Sequence, residues 1–271
     1  MPQSDSIAIF DSGVGGLTVF REVSRLLSQE NLIYFGDTAR LPYGSKSSDA
    51  IIRYSLECAS FLLDQSIKLL LVACHTASAH ALEILQEKLP IPVIGVIQPG
   101  FELLMEATRS QRVAILGTAS TIASQVYQNL IRQHYPSAQV FAIACPLFVP
   151  LAEEHFFEGA AADLIAHHYL QHLQNADIDT VLLACTHYPL LKKAIEKAIG
   201  PSIKIIEPAE SCAMMARSLL SATHLLNAQK EKPCYQFYAT DHPERFTTLA
   251  KTFLGHEIQL RLIQLEKNKK L

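Results

Sequence analysis

Two short stretches set a thiol beside a hydroxyl and an imidazole where an apolar run ends: "VACHTASA" (72–79) and "LLACTHYPLL" (182–191). In each, Ala-Cys follows a run that reads as a buried strand, Thr and His follow in opposite orders, and a helical pattern comes next. A single cysteine is ordinarily a small buried hydrophobe. Two at matching points of the chain point to a reactive role for Cys74 and Cys185. A thiolate at a strand-to-helix turn is favoured by unpaired backbone N–H groups and by the positive end of the helix dipole. A thiolate on one side of a substrate carbon can take a proton, and a thiol on the other side can return one to the opposite face. That inverts a stereocentre without a cofactor. A proton on an amino-acid α-carbon is only weakly acidic, so preorganised donors must stabilise a carbanion-like transition state.

Other candidate loops follow other strands. "IAIFDSGVGGLTVF" (7–20) runs from a strand into Asp11, Ser12 and the glycines Gly13, Gly15 and Gly16. Read as G-x-G it suggests a phosphate loop. A carboxylate just before the glycines would repel a phosphate, and the third glycine of the dinucleotide fingerprint is missing. Asp11 suits an ammonium group or a hydrogen bond to a thiol, with Ser12 beside it, and tight packing is the alternative use of the glycines. "YFGDTARLPYGSKS" (34–47) holds Asp37, Pro42, Tyr43 and Gly44 in a stiff turn. In "LGTASTIAS" (116–124), Thr118, Ser120 and Thr121 either cap a helix or hold a carboxylate. "CPLFVPLAEEH" (145–155) carries Glu153 and Glu154 in apolar company, on a helix surface or as an acid of raised pKa.

The elements that must position these groups alternate along nearly the whole chain. Strands are expected at 6–10, 32–35, 69–73, 93–96, 113–116, 140–143, 181–184, 204–206, 235–238 and 257–262. Between most of them lie helical patterns, clearest at 50–63 and 78–89. The strands are continuous apolar runs, as in parallel sheets covered on both faces. This predicts an α/β fold, in which ligands bind beyond the carboxyl ends of the strands. The cysteines of the two stretches are 111 residues apart, about the length of one small α/β domain.

Composition narrows the functions available. Of 271 residues, 49% are hydrophobic and 18% charged, so the chain can build a substantial core. The net charge of −3 gives no global positive field for nucleic acid or anionic lipid. Lys267, Lys269 and Lys270 read as a solvated tail. Neither a signal peptide nor a transmembrane run is expected. The six cysteines are scattered, with no CxxC pair, which argues against a zinc ribbon and a disulfide scaffold and places the chain in a reducing cytoplasm.

Taken in order, "FDSGVGGLTV", "YFGDTARLPYG", "VACHTASA", "GTASTIAS", "CPLFVPLAEE" and "LLACTHYPLL" resemble the glutamate racemases of the aspartate/glutamate racemase superfamily, over nearly the whole chain. The resemblance implies two similar three-layer α/β domains with mostly parallel sheets and the active site in the crevice between them. Residues 1–97 plus 208–271 would form the first domain and 98–207 the second. It implies interconversion of L- and D-glutamate by two thiols without cofactor or metal, supply of D-glutamate for peptidoglycan, and a homodimer. Cys74 would act on the D isomer and Cys185 on the L isomer. Asp11, His187 and Glu153 match residues that assist the thiols. Ser12, Tyr43, Gly44, His75, Thr76, Thr118, Thr121 and Thr186 match substrate-binding positions. Two positions depart from the family pattern: His75 replaces the usual Asn after the first cysteine, and Gln98 stands where Glu is commoner. An imidazole is bulkier, has one donor when neutral, and binds a carboxylate more strongly if protonated. The alternatives are an enzyme of the same superfamily acting on aspartate or another small acid, and a non-catalytic binding or regulatory protein on the same scaffold.

Overall fold

Each of the ten apolar runs forms a strand, and every strand pair among the described residues is parallel. The structure is a computed structural model that describes residues 1–229 and 231–265. The terminal lysines 267, 269 and 270 lie outside the described residues. The chain divides into two compact units, residues 1–96 with 209–271, and residues 97–208. No helix among the described residues is long and apolar enough to cross a membrane.

The first unit starts with β1 (Ser6–Asp11), α1 (Leu17–Leu26), β2 (Leu32–Gly36), α2 (Ser48–Leu63), β3 (Ile67–Val72), α3 (His75–Lys88) and β4 (Val93–Gly95). The second unit contains α4 (Ile97–Ala107), β5 (Arg112–Gly117), α5 (Ala119–Ala123), α6 (Val126–His134), β6 (Gln139–Ala144), α7 (Phe148–Glu153), α8 (Ala160–Leu170), β7 (Thr180–Ala184), α9 (Lys192–Ile199) and β8 (Lys204–Ile206). The chain then returns to the first unit with α10 (Ala209–Ala222), β9 (Tyr235–Ala239), α11 (Pro243–Leu254) and β10 (Leu260–Leu262).

The first sheet has the order β10-β9-β2-β1-β3-β4, the second β6-β5-β7-β8. The first four strands of each unit therefore run in the same order, second-first-third-fourth. Both sheets are covered on two faces, which is why their strands lack polar alternation. In β1, Ala8 and Phe10 pack with Cys58 and Ala59 of α2 and Ala77 and Ala81 of α3. On the other face Phe20 of α1 meets Phe237 and Tyr34 edge-on or tilted, with ring centroids 4.9 and 6.3 Å apart. In the second unit Ala114, Leu116, Val181 and Leu183 pack with Ala162, Ala166 and Ile195 of α8 and α9. Burying a side chain the size of Phe or Leu contributes roughly 1.5–3 kcal/mol.

Element edges differ from the sequence pattern where polar atoms find unexpected partners. β3 begins two residues early and takes in Lys68, whose Nζ lies 2.5 Å from Glu30 Oε2 and from the Gln3 carbonyl. α3 begins three residues early because Cys74 itself caps it, its Sγ accepting from Ala77 N at 3.5 Å. β10 keeps only the last three of its expected residues.

Candidate active site

In each sheet the order reverses at the first strand, so the loops after the first and third strands part from one another and leave room for a ligand. In the first unit those loops carry Asp11–Gly16 and Cys74–Thr76. Asp11 is fully buried at the end of β1, and its Oδ1 accepts from Gly13 N at 2.9 Å. A Cβ at Gly16 would lie 2.6 Å from Asp11 Cβ and 3.0 Å from Ala73 Cβ, so close approach of the two loops demands glycine there. That approach brings Cys74 Sγ to 3.5 Å from Ser12 Oγ. Tyr34 of β2 fixes the loop from below, its hydroxyl donating to the Gly13 carbonyl at 2.8 Å. Burial pushes the Tyr34 hydroxyl pKa up, and the charges of Asp11 and Cys74 push it further.

His75 and Thr76 open α3 and are both buried. Burial pulls the His75 pKa down to about 3, which favours the neutral imidazole. Tyr43 and Gly44 lie in a 3-10 turn, Tyr43–Ser45. The Tyr43 ring points into the core with Phe10, and its hydroxyl donates to Asp37 Oδ2. Any contact between Tyr43 and a substrate is therefore left to its backbone.

In the second unit the corresponding loops follow β5 and β7. Thr118 caps α5: its Oγ1 accepts from Thr121 N at 3.2 Å and lies 3.0 Å from Thr121 Oγ1. The capping use is thus realised, and both hydroxyls remain at the strand end. Cys185 and Thr186 follow β7 and are buried. The α-helix after Cys185 starts later than the pattern suggests: the chain first makes a 3-10 turn, Tyr188–Leu191, with Pro189 in its first turn, and α9 follows directly at Lys192. An α-helix dipole acts within its first turn, so Cys74 has that setting and Cys185 does not.

A charged pair takes the place of the dipole at Cys185. His187 Nε2 lies 3.1 Å from Glu153 Oε1, with side chains only 4% and 9% exposed. Burial alone would lower the His187 pKa. Hydrogen bonds to Cys185 and Glu153, and their negative charges, outweigh it and raise the pKa to about 10. These contacts favour the imidazolium form of His187 beside the Cys185 sulfur. Glu153 ends α7 and faces this pair, while Glu154 is exposed. Tyr188 locks the arrangement: its ring meets Phe148 of α7 edge-on at 5.1 Å, and its hydroxyl donates to the Cys145 carbonyl at 2.9 Å.

Comparison with known proteins decides the family. The model of the Asp/Glu/Hydantoin racemase family matches residues 13–216. This chain is a member of the Asp/Glu/Hydantoin racemase family. The family member is 49% identical over 253 residues to the glutamate racemase of Geobacter metallireducens, covering 93% of this chain and 94% of that one. It is 47% identical over 264 residues to that of Chlorobaculum tepidum, covering 95% and 97%. Among solved structures it resembles the glutamate racemase of Francisella tularensis in complex with D-glutamate. That match has a TM-score of 0.92 and 38% identity, and covers 97% of this chain and 99% of that one.

Within this racemase-family chain the predicted residues fall into two sets. Asp11, Ser12, Cys74, His75 and Thr76 gather at the switch point of the first sheet, with Tyr43 and Gly44 on a neighbouring loop. Cys185, Thr186, His187, Glu153, Thr118 and Thr121 gather at that of the second. Sequence reading gave no role to Tyr34 or Arg40, or to the carboxylate of Asp37. Tyr34 and Asp37 reach partners remote in the chain, Gly13 and Thr240, and periodicity carries no sign of those contacts.

Proposed function

We propose that this protein is a cofactor-independent glutamate racemase, interconverting L- and D-glutamate by proton transfer at the α-carbon. The observation that carries the reading is the equivalent placement of Cys74 and Cys185. Each follows the third strand of a sheet with the same strand order, and each has its own polar support. Asp11 and Ser12 stand at Cys74, Glu153 and His187 at Cys185. The relatives at 47–49% identity that bear the name glutamate racemase support glutamate as substrate.

In this mechanism one thiolate removes the α-proton and the other thiol returns a proton to the opposite face. Cys74 acts on the D isomer and Cys185 on the L isomer. Asp11 assists Cys74, and the Glu153–His187 pair assists Cys185 by keeping a positive charge beside its sulfur. Ser12, His75, Thr76, Thr118, Thr121 and Thr186, with the backbone at Tyr43 and Gly44, hold the substrate's charged groups. The physiological role is supply of D-glutamate to peptidoglycan, by a homodimer in the cytoplasm. Proton NMR of L-glutamate in D2O with the protein, followed by chiral analysis, tests this. The expected result is loss of the α-proton signal with appearance of D-glutamate, abolished in Cys74→Ala and in Cys185→Ala. Near-normal racemisation by either variant would rule out the two-thiol mechanism.

A further inference from the structure

One fully buried carboxylate in the first unit has a set of partners out of proportion to its place in a loop. Asp37 lies just beyond β2 and is 0% exposed. Its Oδ2 accepts from Arg40 Nε at 2.6 Å and from the Tyr43 hydroxyl, and its Oδ1 accepts from Thr240 Oγ1 at 3.1 Å. Its backbone N–H donates to the Asp11 carbonyl at 3.1 Å. Arg40 carries the network outward to Glu57 and to the Cys58 sulfur on α2. The segment after Asp37 is also stitched to the loop after β9: Ala39 N donates to Thr240 Oγ1 at 2.9 Å, and Thr38 Oγ1 donates to the Asp241 carbonyl at 2.6 Å.

We infer that Asp37 is a positioning residue for racemisation, a buried anchor that fixes the Tyr43–Gly44 segment against the sheet end bearing Asp11. The geometry supports this in three ways. The side chain grips the segment through Arg40 Nε and through the Tyr43 hydroxyl, whose ring packs in the core against Phe10. The backbone of the same residue touches the residue proposed to assist Cys74. Thr240 ties the carboxylate to the end of β9, and Arg40 ties it to α2 through Glu57 and Cys58. A carboxylate with no exposure is costly unless its lone pairs are filled, and here the donors filling them come from Arg40, Tyr43 and Thr240. Burial pushes the Tyr43 hydroxyl pKa well up, and the Cys58 and Asp37 charges add to this, so Tyr43 stays a donor across the working range.

The inference rests on the proposed glutamate racemase activity, and its test separates the two. Steady-state racemisation would be measured for the wild type, Asp37→Asn, Tyr43→Phe and the double variant, with deuterium exchange followed in the peptide spanning 38–47. Uniform binding lost from a loosened segment raises KM and leaves kcat unchanged. Expected for Asp37→Asn is a rise in KM of about tenfold for both isomers, kcat within about threefold, and faster exchange confined to 38–47. Tyr43→Phe should move KM the same way, and the double variant should add little because one hydrogen bond is shared. An unchanged KM with wild-type exchange would overturn the inference. So would a fall in kcat with exchange quickened across β1 and β3, which is the mark of a merely structural role. A wild type inactive on glutamate would remove the functional reading, and exchange in 38–47 would still decide whether Asp37 holds the segment.

Discussion

Replacing Glu153 by Gln tests the idea that an imidazolium supports Cys185. Gln keeps the size and an oxygen that can accept from His187, but it removes the charge. In the wild type the His187 pKa stands at about 10 against an ordinary 6.5, which corresponds to roughly 5 kcal/mol in favour of the cation after the burial penalty. Cys185 and Glu153 share that stabilisation. A charge-assisted hydrogen bond is worth about 1.5–3 kcal/mol, so losing the charge should cost about 2 kcal/mol and bring the His187 pKa down to about 8.5. The sign follows directly. The imidazolium exists below its pKa and is lost as pH rises through it, so the damage must grow with pH. At pH 7 His187 stays almost wholly protonated in both proteins. At pH 9.5 the protonated fraction falls from about three quarters to about one tenth. The assay is kcat/KM for both isomers from pH 7 to 10, taken as the ratio of wild type to variant so that substrate titrations cancel. The ratio should stay within about threefold at pH 7 and approach an order of magnitude by pH 9.5. It must be the same for L- and D-glutamate, since their equilibrium constant is one. A ratio that does not vary with pH would refute the reasoning.

Three further outcomes are expected. His75→Asn should keep or raise racemisation, because it restores the side chain usual at that position in the racemases this chain resembles; a large loss of kcat/KM would show that His75 has its own part in catalysis. Gly36→Ala should destabilise by about 2 kcal/mol or more and depress activity, since the new Cβ would fall 2.4 Å from the Gly13 carbonyl oxygen and 2.9 Å from the Phe246 ring; a wild-type urea midpoint would contradict this. Lys68→Met should cost about 3 kcal/mol by removing the counter-charge of the buried Glu30 carboxylate, which keeps its hydrogen bond from Asn227 N. Its activity per folded molecule should nevertheless be normal, because Lys68 lies at the opposite end of β3 from Cys74, about 20 Å away at ~3.3 Å per residue.

Much of this architecture was legible in the sequence, and the reasons are particular. The strands were visible because both faces of each sheet are covered, leaving uninterrupted runs such as Leu69–Val72 and Val181–Ala184. The two cysteines were visible because each breaks such a run at its carboxyl end. The start of the helix after Cys185 was misplaced, since an apolar "YPLL" serves a 3-10 turn as well as a first helical turn. Lys68 hid the start of β3, because a charge inside a buried strand is credible only when its partner, Glu30, is known. The Glu153–His187 pair and the Asp37–Thr240 contact span 34 and 203 residues. Such pairings are set by strand order, and the sequence pattern does not encode them locally.

The strand order of the first sheet also bears on how the chain is made. β2 is flanked by β1 and by β9, and β9 is synthesised only after the whole of the second unit. A ribosome therefore releases the contiguous 97–208 unit, with all four of its strands, while Leu32–Gly36 still has an open edge. That segment reads "LIYFG", apolar and uncharged, which is the kind of edge that templates intermolecular pairing. Translation pauses or premature stops between residues 208 and 235 would yield a folded Cys185 half joined to an adhesive, unfinished Cys74 half. The edge of β2 stays open to pairing with other chains until β9 closes it.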